Sequence, residues 1–94
     1  MNESGWTWEL SERAAEQLGA LDVETQQRFI DKFEAVVRDE FREPPEFAKP
    51  LTGLKPWQSL RVGDYRAIAR FDREVQVMQV GAVGHRSSIY DEFP

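Results

Sequence analysis

Residues 60–90 read LRVGDYRAIARFDREVQVMQVGAVGHRSSIY, and the fold is decided in this stretch. Runs of strand-forming residues are cut twice by turn signals. Gly63-Asp64 separates LRV from YRAIARF, and Asp72-Arg73 separates that run from EVQVMQV, which predicts two successive hairpins and a three-stranded antiparallel meander. A two-residue loop at Gly63-Asp64 sets Val62 opposite Tyr65, Arg61 opposite Arg66 and Leu60 opposite Ala67. The same loop length at Asp72-Arg73 sets Arg70 opposite Val75, Ile68 opposite Val77, Ala67 opposite Met78 and Arg66 opposite Gln79.

Side chains alternate across a sheet, so this register sorts the meander into two faces. One reads Leu60, Val62, Tyr65, Ala67, Ala69, Phe71, Met78 and Val80, nearly all apolar, and should pack on helices. The other reads Ser59, Arg61, Arg66, Ile68, Arg70, Val75, Val77 and Gln79, partly apolar and studded with guanidinium groups. Two arginines directly opposite each other repel unless an anion or a carboxylate sits between them. Either the face is simply solvated, with Asp64 or another acid neutralising the pair, or it is a phosphate site, since arginine's planar fork suits phosphate oxygens.

Ninety-four residues make one domain, 1–94, with a single modest core. The chain has no cysteine, which excludes disulfides and thiolate metal sites, and its one histidine has no clustered partner for a structural zinc. No apolar run approaches the length of a membrane span or a signal-peptide core, so the expectation is a soluble, intracellular protein. The formal net charge of −5 argues against nucleic-acid binding, but the charge is uneven. Up to Pro50 acids outnumber bases about two to one, whereas from Lys55 to Tyr90 the bases Lys55, Arg61, Arg66, Arg70, Arg73 and Arg86 face only Asp64, Asp72 and Glu74. Local field, not net charge, decides where an anion docks. An acidic exterior with few lysines also fits a high-salt cytoplasm.

Ahead of the meander, Met1 to Gly5 reads as a loose tail, and Trp6, Thr7, Trp8, Glu9 and Leu10 alternate as a first strand with Trp6, Trp8 and Leu10 inward. Ser11 is placed to cap a short helix carrying Ala14, Leu18 and Leu21, and Asp22 to cap a second. In that second helix Phe29, Ile30, Phe33, Val36, Val37 and Phe41 form an apolar stripe to about Arg42. Pro44-Pro45 stops it, and Glu46 to Pro56 is a connector whose Phe47, Leu51 and Leu54 tuck against the core. Trp57 is either a core residue or an exposed stacking platform at the start of the next strand. The expected class is α+β: an N-terminal strand, a two-helix hairpin, then a three-strand antiparallel meander packed on the helices.

This order, with a KPLTGL connector, LRVGDYRAI, and VGHR followed four residues on by Tyr90, resembles the RelE/ParE superfamily of small toxins from toxin–antitoxin pairs, and its RelE-type branch more than its ParE-type branch. The resemblance covers nearly the whole chain. It implies a RelE-like fold and a cytoplasmic, metal-independent and cofactor-free endoribonuclease that enters the ribosomal A site and cuts messenger RNA. The free toxin would be monomeric, forming a hetero-oligomer with a RelB-like antitoxin. Attack of a ribose 2′-hydroxyl on the adjacent phosphate needs a proton acceptor, positive charge for the equatorial oxygens and a donor to the leaving oxygen. By position the resemblance makes Arg66, Arg86 and Tyr90 catalytic, adds His85, which stands where some relatives have lysine and others use a late histidine, and leaves Arg61 and Lys55 as phosphate contacts. Where the RelE pattern has two lysines, this chain has Trp57 and Ser59, and only Lys49 and Lys55 lie nearby, both in the connector. The other readings are a ParE-like gyrase inhibitor without nuclease activity and a degenerate member that only binds antitoxin.

Overall fold

Large apolar residues alternating with polar ones make residues 7–10 a strand rather than a helix, and the computed structural model, which describes residues 5–93, shows β1 at Thr7–Leu10. Trp6 is buried beside it, and the loose tail expected at Met1 to Gly5 falls, except for Gly5, outside the described residues. Ser11 caps α1 (Glu12–Gly19) as its residue type predicts: its Oγ accepts the Ala14 N–H at 3.0 Å and donates to the Gly81 carbonyl at 3.0 Å. Asp22 stands at the N-cap of α2 (Val23–Arg38), without a side-chain capping bond. Phe29, Phe33, Val36 and Val37 of α2 are buried against the sheet.

The second helix is one turn shorter than its apolar spacing suggests. Asp39 leaves helical geometry, and its Oδ1 accepts the N–H groups of Phe41 at 2.8 Å and Arg42 at 2.7 Å, a local turn that competes with helix continuation. Phe41 therefore stands 90% exposed instead of completing the stripe. A 3-10 turn at Pro44–Phe47 follows, and part of the expected connector forms a two-residue edge strand, β2 (Lys49–Pro50).

The meander comprises β3 (Gln58–Val62), β4 (Tyr65–Asp72) and β5 (Val77–His85), in a five-stranded sheet of order β1-β5-β4-β3-β2. β1 runs parallel to β5, while the other pairings are antiparallel. The first hairpin has the predicted register, Arg61 opposite Arg66 included. The second does not: Asp72 lies opposite Val77 across a four-residue loop, and Arg70 pairs with Gln79, not Val75. The reason is local. The Asp72 carboxylate accepts the Glu74 N–H at 3.0 Å and the Val75 N–H at 3.4 Å, and Gln76 turns the chain at φ 56°, so Val75 is a loop residue and exposed. Along Val77–Val80 the displacement is four residues, an even number, which keeps Met78 and Val80 on the helix side as expected.

Next to Ile68 and Ala69 the register shifts, so Ile68 faces Ala82 while Ala69 faces Val80, and Gly81 is the extra residue of a β-bulge. The face away from the long helices is not an open arginine surface throughout. Its centre is a second apolar cluster in which Ile68, Ala82, Ile89 and Phe93 are buried, with Leu51, Leu54 and Trp57 packed around them. Ile89 begins a C-terminal turn of helix, α3 (Ile89–Glu92), that lies across the sheet.

Candidate functional site

On the face away from α1 and α2, β4 presents Arg66, Ile68 and Arg70, and strand pairing extends each into a row. Arg66 is flanked by Arg61 on β3 and Gly84 on β5. Ile68 is flanked by Ser59 and Ala82, with Lys49 of β2 beyond Ser59. Arg70 stands opposite Gln79. Only the middle row is apolar enough to demand cover, and α3 with the connector supplies it.

What remains between β2, β3, the start of β4 and α3 is a cleft of about 290 Å³, lined by Phe47, Lys49, Pro50, Leu51, Ser59, Arg61, Arg66 and Tyr90. Three cationic side chains and no acid line it, on a chain of net charge −5. Among the described residues no carboxylate lies within ion-pair distance of Arg61 or Arg66; Asp64 faces Arg86 instead, at 3.9 Å. Arg66 is oriented by backbone, its Nη1 donating to the carbonyls of Gly63 at 2.9 Å and Tyr65 at 2.7 Å. Tyr90 is held by its hydroxyl, 2.8 Å from Ser59 Oγ, while the residue stays 43% exposed. Such a site can grip an anion between two guanidinium forks and an ammonium, with an aromatic wall beside it.

Arg61, Arg66 and Tyr90 thus meet in one cleft, and three other residues singled out in the sequence do not line it. Arg86 is tied to the same β3–β4 turn, its N–H donating to the Asp64 carbonyl at 2.9 Å, so it stands at the turn outside the cleft lining. His85 pairs with Tyr65 and its ring meets the Tyr65 ring edge-on at 5.3 Å, on the helix-covered side of β5. Its Nδ1 accepts the Ser87 N–H at 3.1 Å and lies 2.8 Å from Ser87 Oγ, leaving Nε2 to carry the proton in the neutral ring. Lys55 is exposed in the connector, and Lys49 is the lysine that lines the cleft. No strand signal marks Lys49, because a two-residue strand ending in proline has no periodicity to read.

Residues 8–90 match a family model described as ParE toxin of type II toxin-antitoxin system, parDE. No curated protein matches at a significant level. Among solved structures, the chain is similar to one in the toxin–antitoxin complex RelBE2 from Mycobacterium tuberculosis, with 26% identity and a TM-score of 0.77 over 92% of this chain and 97% of that one. The isolated Escherichia coli RelE toxin gives 23% identity and a TM-score of 0.67, covering 93% of each chain. A chain of the RelE–RelB complex from Pyrococcus horikoshii gives 20% and 0.64, over 87% of this chain and 96% of that one. A match spanning nearly the whole chain, on a fold shared with these toxins, places it: the chain belongs to the ParE toxin family of type II toxin–antitoxin systems, within the RelE/ParE superfamily.

Proposed function

We propose that this toxin is an endoribonuclease that cuts messenger RNA on the ribosome and is silenced by a RelB-like antitoxin. The observation that carries the reading is the opposed Arg61–Arg66 pair, lacking a carboxylate among the described residues and opening into a cleft with Lys49 and Tyr90. Two like charges set face to face are a local cost that a phosphodiester relieves. In this reading the arginine forks bind the scissile phosphate and stabilise its equatorial oxygens as the 2′-hydroxyl attacks, and Arg86 adds positive charge from the turn. The Lys49 ammonium donates a proton to the departing 5′ oxygen, the 2′ proton passes to water, and a 2′,3′-cyclic phosphate remains. Tyr90, fixed by Ser59, stacks on a base splayed from the message. The acidic remainder of the surface repels free RNA, which fits a message delivered on the ribosome. Several of the RelE chains it resembles were solved bound to RelB, and a carboxylate-bearing antitoxin segment would satisfy the same cations.

The test is primer extension on a translated message after induction of wild type, Arg61→Ala with Arg66→Ala, and Lys49→Met. Cleavage within codons that vanishes in the double variant and slows in Lys49→Met supports the nuclease. No cleavage, with gyrase trapped on DNA, replaces it by a gyrase inhibitor.

A further inference from the structure

The cover over Ile68 splits the outer sheet face in two, and the far side holds a second cleft, of about 380 Å³. Its lining includes Glu9, Ser11, Trp57, Arg70, Gln79 and Gly81. The β-bulge creates it: a Cβ on Gly81 would come 2.7 Å from Trp57 Cζ3, so the indole rests on bare backbone there. The Phe93 ring meets the indole edge-on at 5.0 Å, beside the same stretch of bare backbone. Arg70 is exposed, its guanidinium carbon 5.7 Å from the indole centroid, and its Nε donates to Gln79 Oε1 at 2.5 Å. Among the described residues no carboxylate pairs with it, so its outer N–H groups remain for an anion. Glu9 stands opposite Gln79 across β1 and β5, placing an acceptor in the same row.

We propose that this cleft is a nucleotide subsite, in which an amino-bearing base lies against Trp57, Arg70 holds its phosphate, and Glu9 accepts from the exocyclic amine. The chemistry matches each part: an aromatic ring stacks any base, a guanidinium grips phosphate, and a carboxylate accepts from adenine or cytosine but finds no donor amine on uracil. Arg70 lies four residues from Arg66 along β4, roughly 13 Å away on the same face. The inference rests on the nuclease reading for its role, which is to hold a nucleotide flanking the scissile linkage and bias the choice of site by base.

The full chain, labelled with ¹⁵N, is titrated with AMP, CMP, UMP and ribose 5-phosphate, following the indole N–H of Trp57 (assigned with Trp57→Phe) and the Nε–H of Arg70. AMP and CMP should shift both signals, with UMP about tenfold weaker and ribose 5-phosphate leaving the indole unmoved. Arg70→Gln should weaken AMP about tenfold, while Arg61→Met with Arg66→Met leaves it unchanged. An indole signal that no nucleotide moves, or that ribose 5-phosphate moves equally, overturns the subsite. Message cleavage is read separately by primer extension. Cleavage with a silent Trp57 removes the subsite and keeps the nuclease; a responsive Trp57 without cleavage keeps the nucleotide site and removes its role in scission.

Discussion

Replacing Arg61 by methionine should make this protein more stable and less toxic at once. Arg61 and Arg66 are direct partners on β3 and β4, one residue in from the hairpin's closing pair, and neither has a carboxylate partner among the described residues. With the head groups roughly 6 Å apart in a water-like dielectric, the repulsion is about 0.7 kcal/mol, falling to about 0.3 kcal/mol at physiological ionic strength. Methionine keeps much of the aliphatic stem, so the variant loses the charge and little packing. The gain for a chain this size corresponds to a melting temperature about 3–6 °C higher at low salt. Thermal melts of both proteins in a salt series provide the assay. The difference should shrink as sodium chloride rises toward 1 M, and added phosphate should stabilise wild type more than Arg61→Met, because an anion bound between the forks favours the folded state. A lower melting temperature for Arg61→Met, or a gain indifferent to salt, would refute the claim that the pair is an unsatisfied cationic site.

Three further outcomes follow from the packing and the turns. Phe33→Ala, at a fully buried ring 5.0 Å from Trp8 and 6.0 Å from Phe29, should cost about 3–5 kcal/mol, read as a drop in urea midpoint. Ile68→Ala should cost about 2–5 kcal/mol and speed amide exchange across α3 more than across α1, since Ile68 anchors the cover on the outer face. Asp39 should titrate below the ordinary aspartate range, because the Phe41 and Arg42 N–H groups hydrogen-bond its charged form. Its contribution is therefore complete above that range and is lost as pH falls through the lowered value. Carboxyl NMR of Asp39, with Asp39→Asn as the control, reads this directly.

The helix-facing half of the molecule was legible because period-two and helical spacing both report burial on one side: Leu60, Ala67, Met78 and Phe33 all lie where their alternation puts them. The second hairpin was misread for a different reason. Asp72 looks like a turn residue either way, and whether its carboxylate caps two successive N–H groups is a matter of geometry that composition does not carry. Along Val77–Val80 the error was four residues, an even number, so Arg70 moved onto Gln79 with the faces intact; past the bulge it is five, and Arg66 moved onto Gly84. The parts of the cleft that the sequence hid are those made by non-local contact: Lys49 arrives through a strand of two residues, and His85 points away because Tyr65 opposite it belongs to the helix side.

A local rule broken without compensation is where function is expected, and the outer face shows both outcomes side by side. Ile68 in its middle row violates the expectation of a polar outer surface, and the chain answers by laying Ile89, Phe93 and Trp57 over it. Arg61 and Arg66 violate cross-strand charge pairing, and no carboxylate among the described residues answers them. The same cover that resolves the first violation walls the second, since Tyr90 sits one residue after Ile89 and reaches Ser59 in the cleft. Packing and site are therefore coupled through α3. Loosening the apolar middle row should degrade the arginine cleft, whereas neutralising the cleft should leave the middle row in place. Ile68→Ala and Arg61→Met together test that asymmetry: the first should lose both stability and message cleavage, the second cleavage alone.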